Sequence, residues 1–147
     1  MQQPTHPTPS HIQGHGSGAS QSARSTGPAL EATYQFLLWL VPTLDKFPRS
    51  QKFLLGDRLQ TQALSVLDSL IAATYSRERG GHLRAANLDL ERLRFGLRLA
   101  KDLRHLDFKR YEYAARAVDE IGRMVGGWLK TATHAENLPR SHDGTSA

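Results

Sequence analysis

The segment Arg92–Arg104, with sequence RLRFGLRLAKDLR, is rich in side chains that bind phosphate. It holds five Lys or Arg residues among thirteen positions and a single acidic residue, Asp102. A guanidinium group is planar and donates paired hydrogen bonds to phosphate oxygens, which an ammonium group does not do. A helix that only packed against its neighbours would not need so much positive charge. The pattern therefore makes phosphate binding a candidate function.

The positive charge extends beyond this segment. Between residues 77 and 110 there are ten Lys or Arg and five Asp or Glu, a surplus of five that equals the surplus of the whole chain. The same pattern fits a solvated helix face with ion pairs such as Glu91–Arg94. The spacing alone does not favour the phosphate-binding surface over the solvated face. The candidate binding residues are Arg77, Arg79, Arg84, Arg94, Arg98, Lys101, Arg104, Lys109 and Arg110.

Catalytic and metal chemistry have little support in the sequence. The chain has no cysteine, so disulfides and thiolate metal sites are excluded. Asp119 and Glu120 are adjacent and therefore point to different faces of a helix, which makes them a poor carboxylate pair. The Ser, His and Asp residues form no nucleophile-elbow signature. We predict a protein that is not an enzyme and has no catalytic residues, no metal site and no cofactor.

The elements that must position the basic residues are helices. Between Pro28 and Thr133 apolar residues recur at helical spacing, and no segment alternates like a strand. Short connections, including a corner at Gly80-Gly81, predict an all-α, up-and-down antiparallel four-helix bundle. The first predicted helix begins near Pro28. The second runs from an N-cap at Ser50 to about Tyr75 or Arg77. The third runs from about Leu83 to Arg104, and the fourth from about Lys109 to Thr131.

The chain ends differ in composition from its middle. Apart from Met1 and a single isoleucine, residues 1–27 are mostly polar or small, and they cannot bury enough apolar surface to offset the entropy of ordering. We predict a disordered tail over residues 1–27, the bundle over 28–134 and a second disordered tail over 135–147. The longest apolar run, Phe36 to Val41, is too short to span a membrane. We expect a cytoplasmic protein that does not associate with membranes.

The third predicted helix has two apolar stripes at 100° per residue. One is the expected bundle core, and the second lies roughly opposite, although a bundle helix has only one inward face. The second stripe is either partly buried because the helix sits deep between its neighbours, or it is a subunit interface, which the pattern favours. The core stripe is Leu83, Ala86, Leu90, Leu93, Leu97 and Ala100, and the second stripe is Leu88, Phe95, Leu99 and Leu106.

The last predicted helix contains three interior glycines, Gly122, Gly126 and Gly127. Each costs about 1 kcal/mol of helix stability relative to alanine. A cost of this kind is typical of positions where a neighbouring helix must come close. We therefore expect these glycines to be packing devices.

Three motifs, in order along the chain, resemble a known family. Phe47–Gly56 (FPRSQKFLLG) resembles the FP+xx+F corner of bacterial four-helix bundle proteins related to the ribosomal-RNA intervening-sequence protein. Leu93–Leu99 (LRFGLRL) resembles the LRFWLR stretch of one branch, and Glu120–Leu129 (EIGRMVGGWL) resembles its EVGRxLGxW end. That branch is the accessory variability determinant (Avd) of diversity-generating retroelements. The resemblance covers about residues 29–131.

The resemblance implies a function. Family members form pentameric barrels with a basic surface, lack catalytic residues, and bind the element's reverse transcriptase and its template-repeat RNA, possibly with cDNA, in support of mutagenic retrohoming. The resemblance also implies that Arg94 and Arg98 are basic residues that contact these partners. Gly96 is a departure from the family pattern, because a large aromatic residue often stands at this position. The alternative is a structural four-helix bundle assembly protein with no specific nucleic-acid role.

Overall fold

The computed structural model describes residues 27–139, so most of both predicted tails lies outside the described residues. Within this range the chain forms four long helices and no strand. Each helix packs against the next along the chain, and the first also packs against the last. This arrangement confirms the all-α four-helix bundle. The helices are α1 (Pro28–Leu44), α2 (Asp57–Tyr75), α3 (Arg79–Asp102) and α4 (Phe108–Glu136). None of them combines the length and apolar character needed to cross a membrane.

The corner between α1 and α2 is itself helical. A single turn, Arg49–Gln51, leads into a π-helical turn, Lys52–Gly56, and the chain then enters α2. The prediction that Ser50 caps the second helix is wrong, because Pro48 precedes the turn and no side chain caps it. The buried ring of Phe47 anchors the corner in the core.

Helix α3 begins four residues earlier than predicted. Gly80 and Gly81, expected to form a corner, lie in its first turn. The reason is a contact that no local pattern contains: the Gly80 N–H donates a hydrogen bond of 3.0 Å to Oε1 of Glu136, at the end of α4. This carboxylate satisfies an amide that a helix start leaves unpaired. Helix α4 reaches Glu136, two residues beyond the predicted bundle.

The predicted core stripe of α3 is confirmed, because all six of its side chains are at most 1% exposed. They belong to one core with buried apolar residues of the other three helices. The largest fully buried side chains in α1, α2 and α4 are Leu40, Leu59, Val66, Leu70, Val118, Ile121 and Val125.

The placement of Leu106 on the second stripe is wrong. Helix α3 ends at Asp102, and Arg104 adopts a left-handed conformation with φ of 64°. The N–H groups of His105 and Leu106 then donate to the Ala100 carbonyl oxygen at 2.9 and 3.3 Å. This reversal drops Leu106 into the core, where it is 4% exposed. It therefore belongs to the monomer core and is not available as an interface residue.

Two of the three glycines of α4 do not do what their spacing predicted. A Cβ on Gly126 or Gly127 would have no neighbour within 4 Å. A Cβ on Gly122 would lie 2.7 Å from Nη2 of Arg94, so this glycine makes room for a side chain. The tightest approach is at Gly96 on α3, where a Cβ would lie 2.6 Å from Cδ2 of Leu59. A large aromatic residue does not fit this backbone unless Leu59 moves.

We expect Gly127→Ala to raise the free energy of unfolding by about 0.5–1 kcal/mol, because alanine favours the helix and meets no neighbour. Gly96→Ala gains the same propensity but forces a fully buried leucine to shift. We expect it to lower the free energy of unfolding by up to about 2 kcal/mol. Urea unfolding followed by circular dichroism measures both. Equal stabilisation by the two substitutions would contradict the close Gly96–Leu59 packing.

Candidate nucleic-acid interface

Arg94 is the best-connected candidate residue, and its contacts are within the bundle. Its Nε donates a hydrogen bond of 2.9 Å to Oδ1 of Asp119 on α4, and its Nη1 pairs with Glu91 one turn earlier. The guanidinium group lies beside Gly122 and its side chain is 32% exposed. The two carboxylates that pair with the Arg94 guanidinium group, on Glu91 and Asp119, both belong to the bundle itself. Arg94 therefore joins α3 to α4, and its positive charge is largely compensated.

The line of basic residues beyond Arg94 is also divided between packing and exposure. The Nζ of Lys101 lies 4.6 Å from the centroid of the Tyr111 ring and 3.4 Å from Asp102. His105 lies in the corner after α3 with its ring 6.0 Å from that of Phe47. Arg98 is exposed, and its nearest acidic group, on Asp102, is 3.9 Å away. Of the residues on this line, Arg98 is the one that projects into solvent.

The remaining basic candidates gather at the two ends of the bundle. One group, which we call the α2–α3 cluster, is Arg77, Arg79 and Arg84. It lies around the start of α3, where Arg79 Nε donates to the Ser76 carbonyl oxygen at 3.2 Å. Within the part of the chain that the structure describes, none of the three forms a salt bridge. The length of α3, about 36 Å, separates the start of this helix from the opposite end of the bundle.

The second group, which we call the α3–α4 cluster, is Arg98, Arg104, Lys109 and Arg110. It spans the C-terminal part of α3, the corner and the first turn of α4. Arg110 pairs with Asp107, whereas Arg104 and Lys109 are exposed and form no salt bridge with any of residues 27–139. The positive charge of residues 77–110 is therefore divided between two clusters, with a compensated centre at Arg94.

Asp107 holds the α3–α4 corner in shape. Its Oδ1 accepts a hydrogen bond of 2.8 Å from the backbone N–H of Arg110, which is an N-cap on α4. This backbone hydrogen bond, followed by the side-chain and charge contacts of Arg110, lowers the pKa of the Asp107 carboxyl from its ordinary value. The ionised form is therefore favoured by folding, and it orients the first turn of α4 with its two cations.

The structure also exposes apolar side chains. Leu88, Phe95 and Leu99 form what we call the α3 stripe, and they are 52%, 66% and 49% exposed. Sequence reasoning found this stripe but missed a second apolar surface on α1 and α2. The signal was present in α1, where apolar residues at positions 34, 38 and 41 exceed what one core face can take. Across residues 27–139 there is no cluster of three or more His, Asp or Glu residues that could hold a metal ion.

A double-mutant cycle tests whether Arg94 is a structural residue. We expect Arg94→Ala and Asp119→Ala each to lower the free energy of unfolding, with a coupling of about 0.5–1 kcal/mol because the two groups share one hydrogen-bonded ion pair. The coupling should shrink at high salt. Arg98→Ala is the matched control and should be nearly neutral, since its contact with Asp102 is long, at 3.9 Å, and exposed to solvent. Zero coupling in urea unfolding experiments would show that the pair does not join the helices.

The lowered pKa of Asp107 predicts a pH dependence. Its contribution to stability is complete above the ordinary aspartate pKa of about 3.9 and is lost as the pH falls through the lower folded pKa. Asp107→Asn keeps a capping oxygen but cannot titrate. We therefore expect the thermal midpoint of the variant to fall less than that of the parent between pH 5 and pH 2. Asp68→Asn, on the exposed side of α2, is the control and should follow the parent.

Comparison with known proteins identifies the family. Residues 29–132 match the family model described as bAvd-like, a range that includes most of all four helices and the whole of both basic clusters. No curated protein and no solved structure gives a match. The matched range contains the three sequence motifs, and it agrees with the resemblance that they predicted. The chain belongs to the bAvd-like family, which is that of the accessory variability determinant proteins of diversity-generating retroelements.

Proposed function

We propose that this protein is a non-catalytic accessory factor of a diversity-generating retroelement that binds both the element's reverse transcriptase and its template RNA or cDNA. Binding occurs through the basic surface of a homo-oligomer, a pentamer by analogy with the family, and supports mutagenic retrohoming in the cytoplasm. Membership of an accessory, non-catalytic family supports the general role. The RNA-binding role is supported by the placement of the cations.

The observation that carries this proposal is the charge in the first turns of α3 and α4. The first turn of α3 holds Arg79, the first turn of α4 holds Lys109 and Arg110, and neither turn contains an acidic residue. A helix N-terminus carries partial positive charge, so each cation there costs about 0.3–1 kcal/mol at an exposed site. Helix stability would favour the opposite sign. Cations at these positions therefore favour the binding of an external anion.

The protein offsets this charge with carboxylates from elsewhere. Glu136 reaches the start of α3 from the end of α4, and Asp107 caps α4 from the preceding corner. The cations themselves remain at the surface. Phosphate groups of a nucleic acid would find exposed cationic side chains in each cluster. Because the exposed stretches carry arginine more than lysine, paired hydrogen bonds to phosphate are available.

Self-association would multiply this effect. The exposed α3 stripe supports an interface, since soluble monomers rarely leave so many large apolar side chains uncovered. Repeating both clusters around a ring concentrates positive potential at the two rims, and such potentials accelerate the capture of polyanions. The alternative, a structural assembly protein, is favoured by the internal compensation of Arg94 and Arg110. It predicts no salt-dependent affinity for RNA.

The test is RNA binding at several salt concentrations. We expect Arg104→Gly with Lys109→Gln to weaken binding of a single-stranded template-repeat RNA. The slope of log K against log salt should fall by about 0.7 for each phosphate group that the variant no longer neutralises. Glycine suits the left-handed conformation at position 104, so the corner is kept. Fluorescence anisotropy with labelled RNA measures the affinities, and circular dichroism confirms folding.

The matched control removes two exposed cations outside both clusters, by Arg123→Gln with Lys130→Gln. This variant has the same net charge as the test variant, so any difference reports position. The control should keep a steeper salt slope than the test variant. If the test variant bound as tightly as the parent at every salt concentration, the α3–α4 cluster would not be the RNA-binding surface.

A further inference from the structure

A groove between the end of α1 and the start of α4 combines two aromatic rings with two cations. This groove, which we call the Trp39 groove, has a volume of about 610 Å³ and is lined by Trp39, Asp107, Lys109, Arg110 and Tyr113. Trp39 is half-buried and Tyr113 is 52% exposed, so aromatic surface is open to solvent in the groove. Binding of phosphate by the cations does not require these rings. Their place beside the α3–α4 cluster therefore indicates a ligand that has more than charge.

The two rings form a fixed pair. Their centroids lie 4.7 Å apart and their planes are inclined by 41°. The Trp39 ring is also stacked on Phe36, with centroids 6.0 Å apart, and Phe36 is buried in the core. The core therefore holds the Trp39 ring in position before any ligand binds, and little side-chain entropy would be lost when a planar ligand stacks there.

The charged groups of the Trp39 groove leave one cation free. Asp107 accepts a hydrogen bond of 2.8 Å from the Arg110 N–H and pairs with the guanidinium group of the same residue. Lys109 is exposed and forms no salt bridge with any of the described residues. A nucleotide carries a planar base and a phosphate a short distance apart. The groove offers a matching pair of partners, an aromatic ring for the base and the Lys109 ammonium group for the phosphate.

The other tryptophan of the chain also lies beside a basic cluster. Trp128, half-buried on α4, lines a groove with all three members of the α2–α3 cluster. Glu136 lines the same groove and places its carboxylate at the start of α3. In the part of the chain that the structure describes, the Trp128 ring has no aromatic partner. Both tryptophans therefore border the basic ends of the bundle, and the Trp39 groove is the one that holds paired rings.

We propose that the Trp39 groove binds an unpaired nucleobase of a single-stranded nucleic acid by stacking. This inference rests on the proposed function and adds recognition of bases to the binding of phosphate by the α3–α4 cluster. In a duplex the faces of the bases are covered by neighbouring bases, so the rings of the groove cannot reach them. Every base has a π-face, so the groove distinguishes a single strand from a duplex and does not read the sequence.

The fluorescence of Trp39 reports the stacking directly. The chain has two tryptophans, so in a Trp128→Phe variant all tryptophan emission comes from Trp39. The probes are about twelve nucleotides long: an oligothymidylate, its duplex with an oligoadenylate, and an abasic strand with the same number of phosphates. We expect the oligothymidylate to quench Trp39 and to bind at least about fivefold more tightly than the abasic strand at the same salt concentration. The duplex and the abasic strand should leave the emission unchanged.

Substitutions at Tyr113 separate stacking from packing. Tyr113→Leu keeps an apolar side chain against Trp39 but removes the ring, and it should weaken oligothymidylate binding at least about fivefold without changing abasic binding. Tyr113→Phe keeps the ring and should bind like the parent. The matched control, Tyr34→Leu, removes a tyrosine that is 49% exposed on α1 outside the groove, and it should also bind like the parent. Fluorescence anisotropy of labelled probes measures these affinities in chains that keep Trp128, and circular dichroism confirms folding.

The remaining outcomes separate this inference from the proposed function. Equal affinity for the oligothymidylate and the abasic strand, with no quenching of Trp39, overturns the stacking while phosphate binding by the α3–α4 cluster stands. Quenching of Trp39 by the strand, together with full RNA affinity in the Arg104→Gly, Lys109→Gln variant, overturns the cluster and leaves the stacking. Thymidine monophosphate lacks the neighbouring phosphates and should bind far more weakly than the strand. Equal affinity for the two would identify a free nucleotide as the ligand and overturn single-strand binding.

Discussion

The orientation of α3 about its own axis determines which of its side chains face the neighbouring helices and which face solvent. Once its stripe from Leu83 to Ala100 is buried, every other side chain on the helix has a fixed direction. Arg94 must then face α4, where Asp119 and Gly122 receive it, and Phe95 must face outward. Gly96 must face α2, where it leaves room for Leu59. Burial of apolar surface, at about 25 cal/mol per Å², makes this rotation costly to change.

Charge near the helix ends is divided between carboxylates that satisfy the helix starts and cations that stay at the surface. The cations in the first turns of α3 and α4 oppose the helix dipole, and Glu136 and Asp107 supply the negative groups that those helix starts require. The centre of α3 is different, because Arg94 is neutralised by two acidic side chains. Positive charge is therefore available at the two ends of the bundle and is compensated between them.

Assembly and phosphate binding would use different parts of α3. If a neighbouring copy covered the α3 stripe, the clusters at the ends of the bundle would stay open, and the two functions would not compete for surface. In a ring of such copies each cluster would recur at a rim at a regular interval. Like charges brought together in this way are tolerated while they remain hydrated or bind a polyanion. This relation explains why one helix carries both apolar and basic residues on its exposed side.

The sequence by itself determined the all-α class, the four helices, the core stripe of α3 and the family, because each depends on periodicity or on motifs within one segment. It did not determine which arginines are free, since Arg94 meets Asp119 only after α3 and α4 pack. Predictions from local sequence also started α3 too late and put Leu106 on the exposed stripe of α3. The first depends on Glu136, which is 56 residues away along the chain, and the second depends on a left-handed turn at Arg104. Local sequence patterns indicate which residues lie on the same side of a helix. Only tertiary packing decides which residues of other helices that side contacts.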